Sequence, residues 1–292
     1  MNGIVLIDKP AGCTSHDVVN RWRKLANTKR AGHLGTLDPS ATGLLALVTG
    51  TATRLAQFFE KEEKTYLAEI SFGLVSDSYD EDGDVKETGM PLPEAAAVYE
   101  ALQLFRGRFW QMPPPFSAKK IKGVPAYKLA RKSAPVELKP VEVDVKRLEV
   151  ESVSPQQVRI LVTVSSGTYV RSLAHDLGQR LGCGALLSRL RRTRIGSFRL
   201  ECANTLEQLD ELAAAGRLRE AVVPATQLLP HFPAEYVDAA TEAHIRQGRD
   251  FRTSPFVVRP GAPFVKALSQ SGELIAIGEL RVPNLYHPST VL

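Results

Sequence analysis

Two stretches of the chain, Thr65 to Phe72 and Val158 to Val164, alternate apolar and polar side chains with a period of two. A strand of that pattern buries one face and leaves the other open, whereas strands of a doubly wound sheet are covered on both faces and read as continuous apolar runs. The pattern therefore predicts an α+β chain with a mixed, largely antiparallel sheet flanked by helices. Other segments fit this frame. Ile4 to Ile7 reads as a short buried strand closed by a turn at Pro10 and Gly12, Leu44 to Val48 is compact and apolar, and Val141 to Val150 is rich in β-formers. Helices are expected over Ser15 to Ala26, Glu94 to Phe105, Val170 to Leu181 and Leu206 to Ala215, and a loop over Lys29 to Thr42.

With 43% hydrophobic and 24% charged residues, the chain lies outside the ranges of disordered, collagenous and disulfide-rich proteins. Its 292 residues suffice for about two domains. Pro224, Pro230 and Pro233 mark a boundary, so we expect a larger domain over 1–230 and a small β-rich one over 235–292, with strands near Phe264 to Leu268 and Leu274 to Leu280. Cys13, Cys183 and Cys202 show no paired spacing, which favours a reducing compartment. No apolar stretch approaches the roughly 20 residues of a membrane span, and the run before Asp8 is too short for a signal sequence. A cytoplasmic protein is expected. The six histidines lack HxxxH or HExxH spacing, and Asp77, Asp80, Asp82 and Asp84 do not fit a calcium loop. No metal is expected, and the acidic stretch reads as a solvated loop.

The segment GHLGTLDPSATGLL, Gly32 to Leu45, places His33 and Asp38 among glycines between two structured elements. Asp38 before Pro39 can serve simply to start a turn. Glycines also let backbone approach a ligand closely, yet the fingerprints of dinucleotide and NTP sites are both missing. In SSGTYVRSL, Ser165 to Leu173, Arg171 is either part of a solvated helix start or a fixed fork that keeps a carboxylate ionised where water is scarce, with Asp38 the natural partner. In KTY, Lys64 to Tyr66, the ring by itself reads as core filling.

The net charge of +5 matters because its cations cluster. Gln111 to Pro140 reads as an exposed basic insertion carrying Lys119, Lys120, Lys122, Lys128, Arg131 and Lys132. Leu186 to Arg199 holds five arginines and no acid. Interleaved with Phe116, Tyr127 and Phe198, this charge suits a phosphate backbone with bases available for stacking, so the expected partner is nucleic acid. Six basic residues match six acidic ones over 235–292, so the charge of that segment carries no such message.

Taken in order, GIVLIDKPAGCTSHDVV, GHLGTLDPSATGLL, KTYLAEISFG, QMPPPFSAKKIKGVPAYKLAR, SSGTYVRSLAHDLG and LLSRLRRTRIGSF closely resemble the tRNA pseudouridine synthases of the TruB type, which convert the T-loop uridine at tRNA position 55. The resemblance covers most of residues 3 to 200, and GHLGTLD is its most specific part. It implies an enzyme that breaks the N-glycosidic bond of a uridine, rotates the base and rejoins it through C5, without cofactor or metal. By the same resemblance Asp38 matches the catalytic aspartate, Tyr66 the active-site tyrosine that stacks on the base and helps remove the C5 proton, and Arg171 the arginine paired with the aspartate. Leu190 matches the pocket leucine and His33 the histidine that helps replace flipped-out nucleotides, while Tyr169 and Lys119, Lys120 and Lys122 are expected to contact substrate. Lys9 and Pro10 match a structural motif. The basic insertion, 111–140, resembles a thumb that closes over RNA, and 235–292 a PUA-type RNA-binding module. The expected partner is the T-arm of tRNA, met by a monomer. Two alternatives stand: an RNA-binding or tRNA-folding protein using the same surface without chemistry, and a uridine isomerase acting on another structured RNA.

Overall fold

The computed structural model describes residues 1–116, 120–121, 124–125, 138–259 and 261–292. Ten strands of these residues form one sheet: β1 (Gly3–Lys9), β2 (Ala31–His33), β3 (Thr42–Thr49), β4 (Lys64–Phe72), β5 (Gly107–Gln111), β6 (Val141–Val153), β7 (Gln157–Val164), β8 (Ala185–Ile195), β9 (Phe198–Arg199) and β10 (Val222–Pro224). Across the sheet the order is β10, β1, β3, β8, β4, β7, β6, β5, with β2 added to β3 and β9 to β8. Every pairing is antiparallel except β3 with β8, which run parallel at Arg191 opposite Thr42 and Arg192 opposite Gly43. The mixed, largely antiparallel sheet expected from the alternating strands is present.

The period of two does the predicted work. Tyr66, Ala68, Ile70 and Phe72 of β4 and Val158, Ile160, Val162 and Val164 of β7 point into one core, while Thr65, Leu67, Glu69 and Arg159 remain partly open on the other face. Helices α2 (Ala95–Gln103) and α3 (Val170–Leu181) cover the apolar face with Val98, Leu102, Leu173 and Leu177, all fully buried. Burial of each such side chain contributes about 1.5–3 kcal/mol. Helix α1 (Ser15–Leu25) begins at a capping box in which Thr14 and Asp17 satisfy each other's backbone N–H groups. Helix α4 (Leu206–Ala214) starts the same way at Thr205 and Gln208.

Two local expectations change. Lys29 to Thr42 is not all loop, because Ala31–His33 pairs with β3 as a short strand that carries the histidine of the glycine-rich segment. The insertion 111–140 is not exposed at its root. Gln111 is fully buried, Pro113 and Pro114 are buried, and Gln111 both accepts from Tyr169 N (2.9 Å) and donates to Tyr169 O (3.0 Å). Lys119, Lys122, Lys128, Arg131 and Lys132 lie outside the described residues, as does the side chain of Lys120.

From Ala234 a second sheet of β11 (Ala234–Tyr236), β12 (Phe251–Arg252), β13 (Phe264–Leu268), β14 (Leu274–Val282) and β15 (Leu285–Val291) follows, in the order β11, β13, β14, β15, β12. With helix α5 (Ala239–Arg246) it has its own core around Ile245, Phe251, Val265, Ile275 and Tyr286. Leu268, Leu274 and Ile277 instead join Ile4, Leu44 and Leu55 in a core shared with the main sheet, and Lys266 donates to the carbonyls of Thr226 and Leu228 (3.2 Å each). Among the described residues no helix is long and apolar enough to cross a membrane.

Candidate active site

Asp38 sits in the connection between β2 and β3, and three buried side chains hold that connection by its backbone. Ser15, at the start of α1, accepts from Leu37 N (2.8 Å) and donates to Leu37 O (3.0 Å). Lys9, wholly buried at the end of β1, donates to Pro39 O (3.2 Å) as well as to Pro10 O and Cys13 O (2.8 Å each). Arg192 of β8, 1% exposed, donates to Gly35 O (3.0 Å), Thr36 O (3.3 Å) and Leu44 O (2.7 Å). The backbones of β3 and β8 approach closely enough that a Cβ on Gly43, at φ +97°, would lie 2.3 Å from Arg192 O, so only glycine fits. Asp38 does start a turn, its C=O accepting from Ala41 N (3.2 Å), but its carboxylate is directed elsewhere.

That carboxylate meets Arg171 of α3, whose Nε lies 3.1 Å from Asp38 Oδ2. The contact is single and not the two-pronged one expected from a guanidinium fork. The rest of the guanidinium is engaged by Asp80 Oδ2 (3.1 Å) and Ser78 O (3.1 Å) at Nη1 and by Phe116 O (2.9 Å) at Nη2. Nη1 is thus shared by two partners and Nη2 is turned to Phe116 O, and it is Nε that faces Asp38. Arg171 is buried, not part of a solvated helix start, and it is rigid because four partners fix it. The Asp38 side chain is 38% exposed, so water is not excluded from it in the chain alone, contrary to the expectation of a dry site.

The acidic stretch is likewise not a solvated loop throughout. Asp80 is 5% exposed, takes a hydrogen bond from Ser78 Oγ at Oδ1 and faces Arg171 with Oδ2. Burial pushes its carboxyl above the ordinary aspartate value, against the pull of the Ser78 hydroxyl and the Arg171 charge. Sequence reasoning missed this residue; its trace in the sequence is Ser78, a hydroxyl two positions before a carboxylate inside an acidic run.

A cavity of about 420 Å³ opens beside Asp38, lined by His33, Tyr66, Tyr169, Arg171 and Leu190. All six site residues expected of the sheet and its loops, Asp38 included, therefore meet at one place. A second cavity of about 570 Å³ lies across Asp38 and Leu190 toward the open sheet face, where Glu69, Arg159 and Arg189 project. Four buried cations, Lys9, Lys64, Arg171 and Arg192, surround the site. Burial, with Arg192 adding repulsion, lowers Lys64 to about 8, and Lys64 rests on the carbonyls of Glu60 (3.3 Å) and Glu62 (2.5 Å). Burial also pushes His33 below the ordinary histidine value, and the Arg192 charge adds to this, both favouring the neutral imidazole.

The arginine-rich stretch of β8 does not present all of its charge to solvent. Arg192 is structural, Arg191 binds Asp8 (2.7 Å) and Arg189 lies 3.6 Å from Glu69, because β8 is a central strand whose side chains alternate between core and surface. Among the described residues no group of three or more His, Cys, Asp or Glu could hold a metal ion.

A model of the TruB-family pseudouridylate synthase N-terminal domain matches residues 23–170, and one of the tRNA pseudouridylate synthase B C-terminal domain matches 171–230. The chain is 52% identical over the whole of both sequences to a tRNA pseudouridine synthase B of Solibacter usitatus, and 42% identical to that of Aquifex aeolicus, with 96% of each covered. Among solved structures, it resembles an H/ACA ribonucleoprotein chain bound to a substrate RNA containing 2′-deoxyuridine (TM-score 0.71, 25% identity, 99% of this chain and 84% of that one). It also resembles a chain of a Cbf5–Nop10–Gar1 complex (TM-score 0.70, 28% identity, 97% and 79%).

Proposed function

The chain belongs to the TruB family of pseudouridine synthases and isomerises uridine to pseudouridine in tRNA, and we propose that the uridine is that at position 55, taken from the T-loop by flipping the base into the cavity beside Asp38. The observation that carries this reading is the geometry around that carboxylate: one oxygen is held by a rigid Arg171 while the side chain remains 38% open to a cavity bearing Tyr66 and Leu190. A base stacked inside a folded loop cannot be rotated in place, so it must leave the stack, at a cost of a few kcal/mol.

In this reading Asp38 is the reacting group. Arg171 gives its carboxylate a fixed, permanently charged partner once the RNA covers it and removes the remaining water. Attack on C1′, addition to C6 of the ring and elimination to a glycal all call on the same carboxylate. Tyr66 packs its ring against the base and its hydroxyl takes part in removal of the C5 proton, Leu190 and Tyr169 shape the pocket, and His33 fills the place the base leaves. The basic segment with Lys119, Lys120 and Lys122 closes over phosphates as a thumb, and its root is stitched to the site by Gln111 on Tyr169, Ser172 on Met112 O (2.7 Å) and Arg171 on Phe116 O. Residues 235–292 are a PUA-type module for RNA, beyond the catalytic domain 1–230. The enzyme acts as a cytoplasmic monomer on the T-arm, without cofactor or metal.

Incubating the chain with total RNA from cells lacking the modification, then mapping pseudouridine by carbodiimide and primer extension, tests the substrate. A new signal confined to position 55 of tRNAs is expected. Signal only in ribosomal stem-loops replaces the tRNA site by another structured RNA, and tight tRNA binding without any modification leaves only the binding function. Tyr66→Phe keeps the ring and deletes the hydroxyl, so tRNA affinity is expected to hold while turnover falls by roughly 10². Wild-type turnover in that variant assigns the whole role to the ring.

A further inference from the structure

We propose that Tyr79, through a ring stack on His175, is a positioning residue that sets the carboxylate of Asp80 against Arg171 and so orients Asp38 for reaction. This rests on the reading of Asp38 as the reacting group. Tyr79 lies between the two residues of the acidic loop that Arg171 grips, Ser78 by its carbonyl and Asp80 by its carboxylate. It also has φ +67°, the left-handed region that a bulky side chain rarely occupies. A residue in that conformation is held there by its surroundings.

The surroundings are visible. The Tyr79 ring stacks on His175 with centroids 3.8 Å apart and an interplanar angle of 12°. His175 follows Arg171 by four residues on α3, and that spacing puts both on one face of the helix, one turn apart. The same helix face thus holds residues 78, 79 and 80 in succession: Arg171 donates to Ser78 O and faces the Asp80 carboxylate, and the His175 ring stacks on Tyr79 between them. Elsewhere the loop is closed on itself, with Asp84 N donating to Asp77 Oδ1 (3.0 Å) and Asp82 N to Asp80 Oδ1 (3.1 Å), and Tyr79 O accepts from Leu187 N of β8 (2.9 Å). Those contacts fix where the loop lies on the sheet, while the helix that carries Arg171 holds the turn at three successive residues, by Arg171 at 78 and 80 and by the stack at 79 between them. If the turn relaxes, Asp80 leaves Nη1, the guanidinium gains freedom, and Nε no longer places Asp38.

Tyr79→Gly separates this role from a structural one, because glycine adopts the turn without strain while losing the ring. The expected result is a melting temperature equal to or above wild type and unchanged tRNA affinity and KM, with kcat lower by about tenfold to a hundredfold, as a displaced reacting group requires. Tyr79→Phe and His175→Phe keep a stack and are expected to retain wild-type kcat, while His175→Ala follows Tyr79→Gly. Wild-type kcat in both Tyr79→Gly and His175→Ala overturns the proposal. So does a loss confined to KM or tRNA affinity, which makes the stack an RNA contact, and so does failure of either phenylalanine variant to hold kcat. Inactivity of the wild-type chain on tRNA strikes the proposed function instead.

Discussion

Asp38→Asn is expected to abolish pseudouridine formation, by at least about 10³-fold, while tRNA binding stays within a few-fold of wild type. The amide preserves the shape of the carboxylate and removes its charge, so it can neither attack carbon nor accept a proton. Folding is expected to be unaffected for two reasons. The side chain is 38% exposed, and the loop around it is held by its backbone through Ser15, Lys9 and Arg192, none of which uses the Asp38 carboxylate. Primer extension after carbodiimide treatment reads the product, and filter binding reads the affinity. Full turnover in this variant removes Asp38 from the chemistry and leaves the enzyme reading of the cavity without its reacting group.

Arg171→Ala is expected to lower kcat by roughly 10²–10³, the scale of losing a fixed charge-assisted donor at a reacting group. It also costs about 3–5 kcal/mol of stability, since Asp80 is left buried without its cation. The pH dependence has a definite sign. Burial already pushes Asp80 above the ordinary aspartate value and Arg171 opposes that shift, so the alanine variant raises it further. Over the interval between the unfolded value and this raised one, the folded state binds the proton more than the unfolded state does. Stability of the variant therefore falls as pH rises through that interval. Urea titrations at pH 4 to 8 measure it, and a loss of stability that grows toward acid contradicts the assignment of Asp80. Arg171→Lys is expected to recover only part of the rate. An ammonium supplies one point of charge, whereas Arg171 serves Asp38, Asp80, Ser78 O and Phe116 O at once from three nitrogens in a plane. A lysine variant at wild-type rate shows that charge alone is sufficient.

The alternating strands, β4 and β7, were legible in sequence because the period of two is a local property that the burial of one face writes directly into residue order. So were α1 and α3, whose apolar stripes repeat at helical spacing, and so was the set His33, Asp38, Tyr66, Tyr169, Arg171 and Leu190, because each lies in a motif that resembles a known family. Their convergence on one cavity is a consequence of strand order: β8, which carries Leu190, is inserted between β3 and β4, placing it next to the Asp38 loop and Tyr66 together. That order depends on contacts between residues more than a hundred positions apart, and no local pattern encodes it.

What only the tertiary structure decided is the partner of each charge. An arginine in β8 and an aspartate in an acidic run have the same composition whether they face water or one another. Arg192 is spent on three carbonyls and Asp80 on Arg171 because folding buries both, and a buried charge must find compensation that a solvated one does not need. Arg171 illustrates the division most fully. Its presence, its permanent charge and its pairing with Asp38 could be read from residues 32–45 and 165–173, but its single-pronged contact could not. Three other acceptors, from residues 78, 80 and 116, compete for the same guanidinium, and only the folded chain brings them within reach.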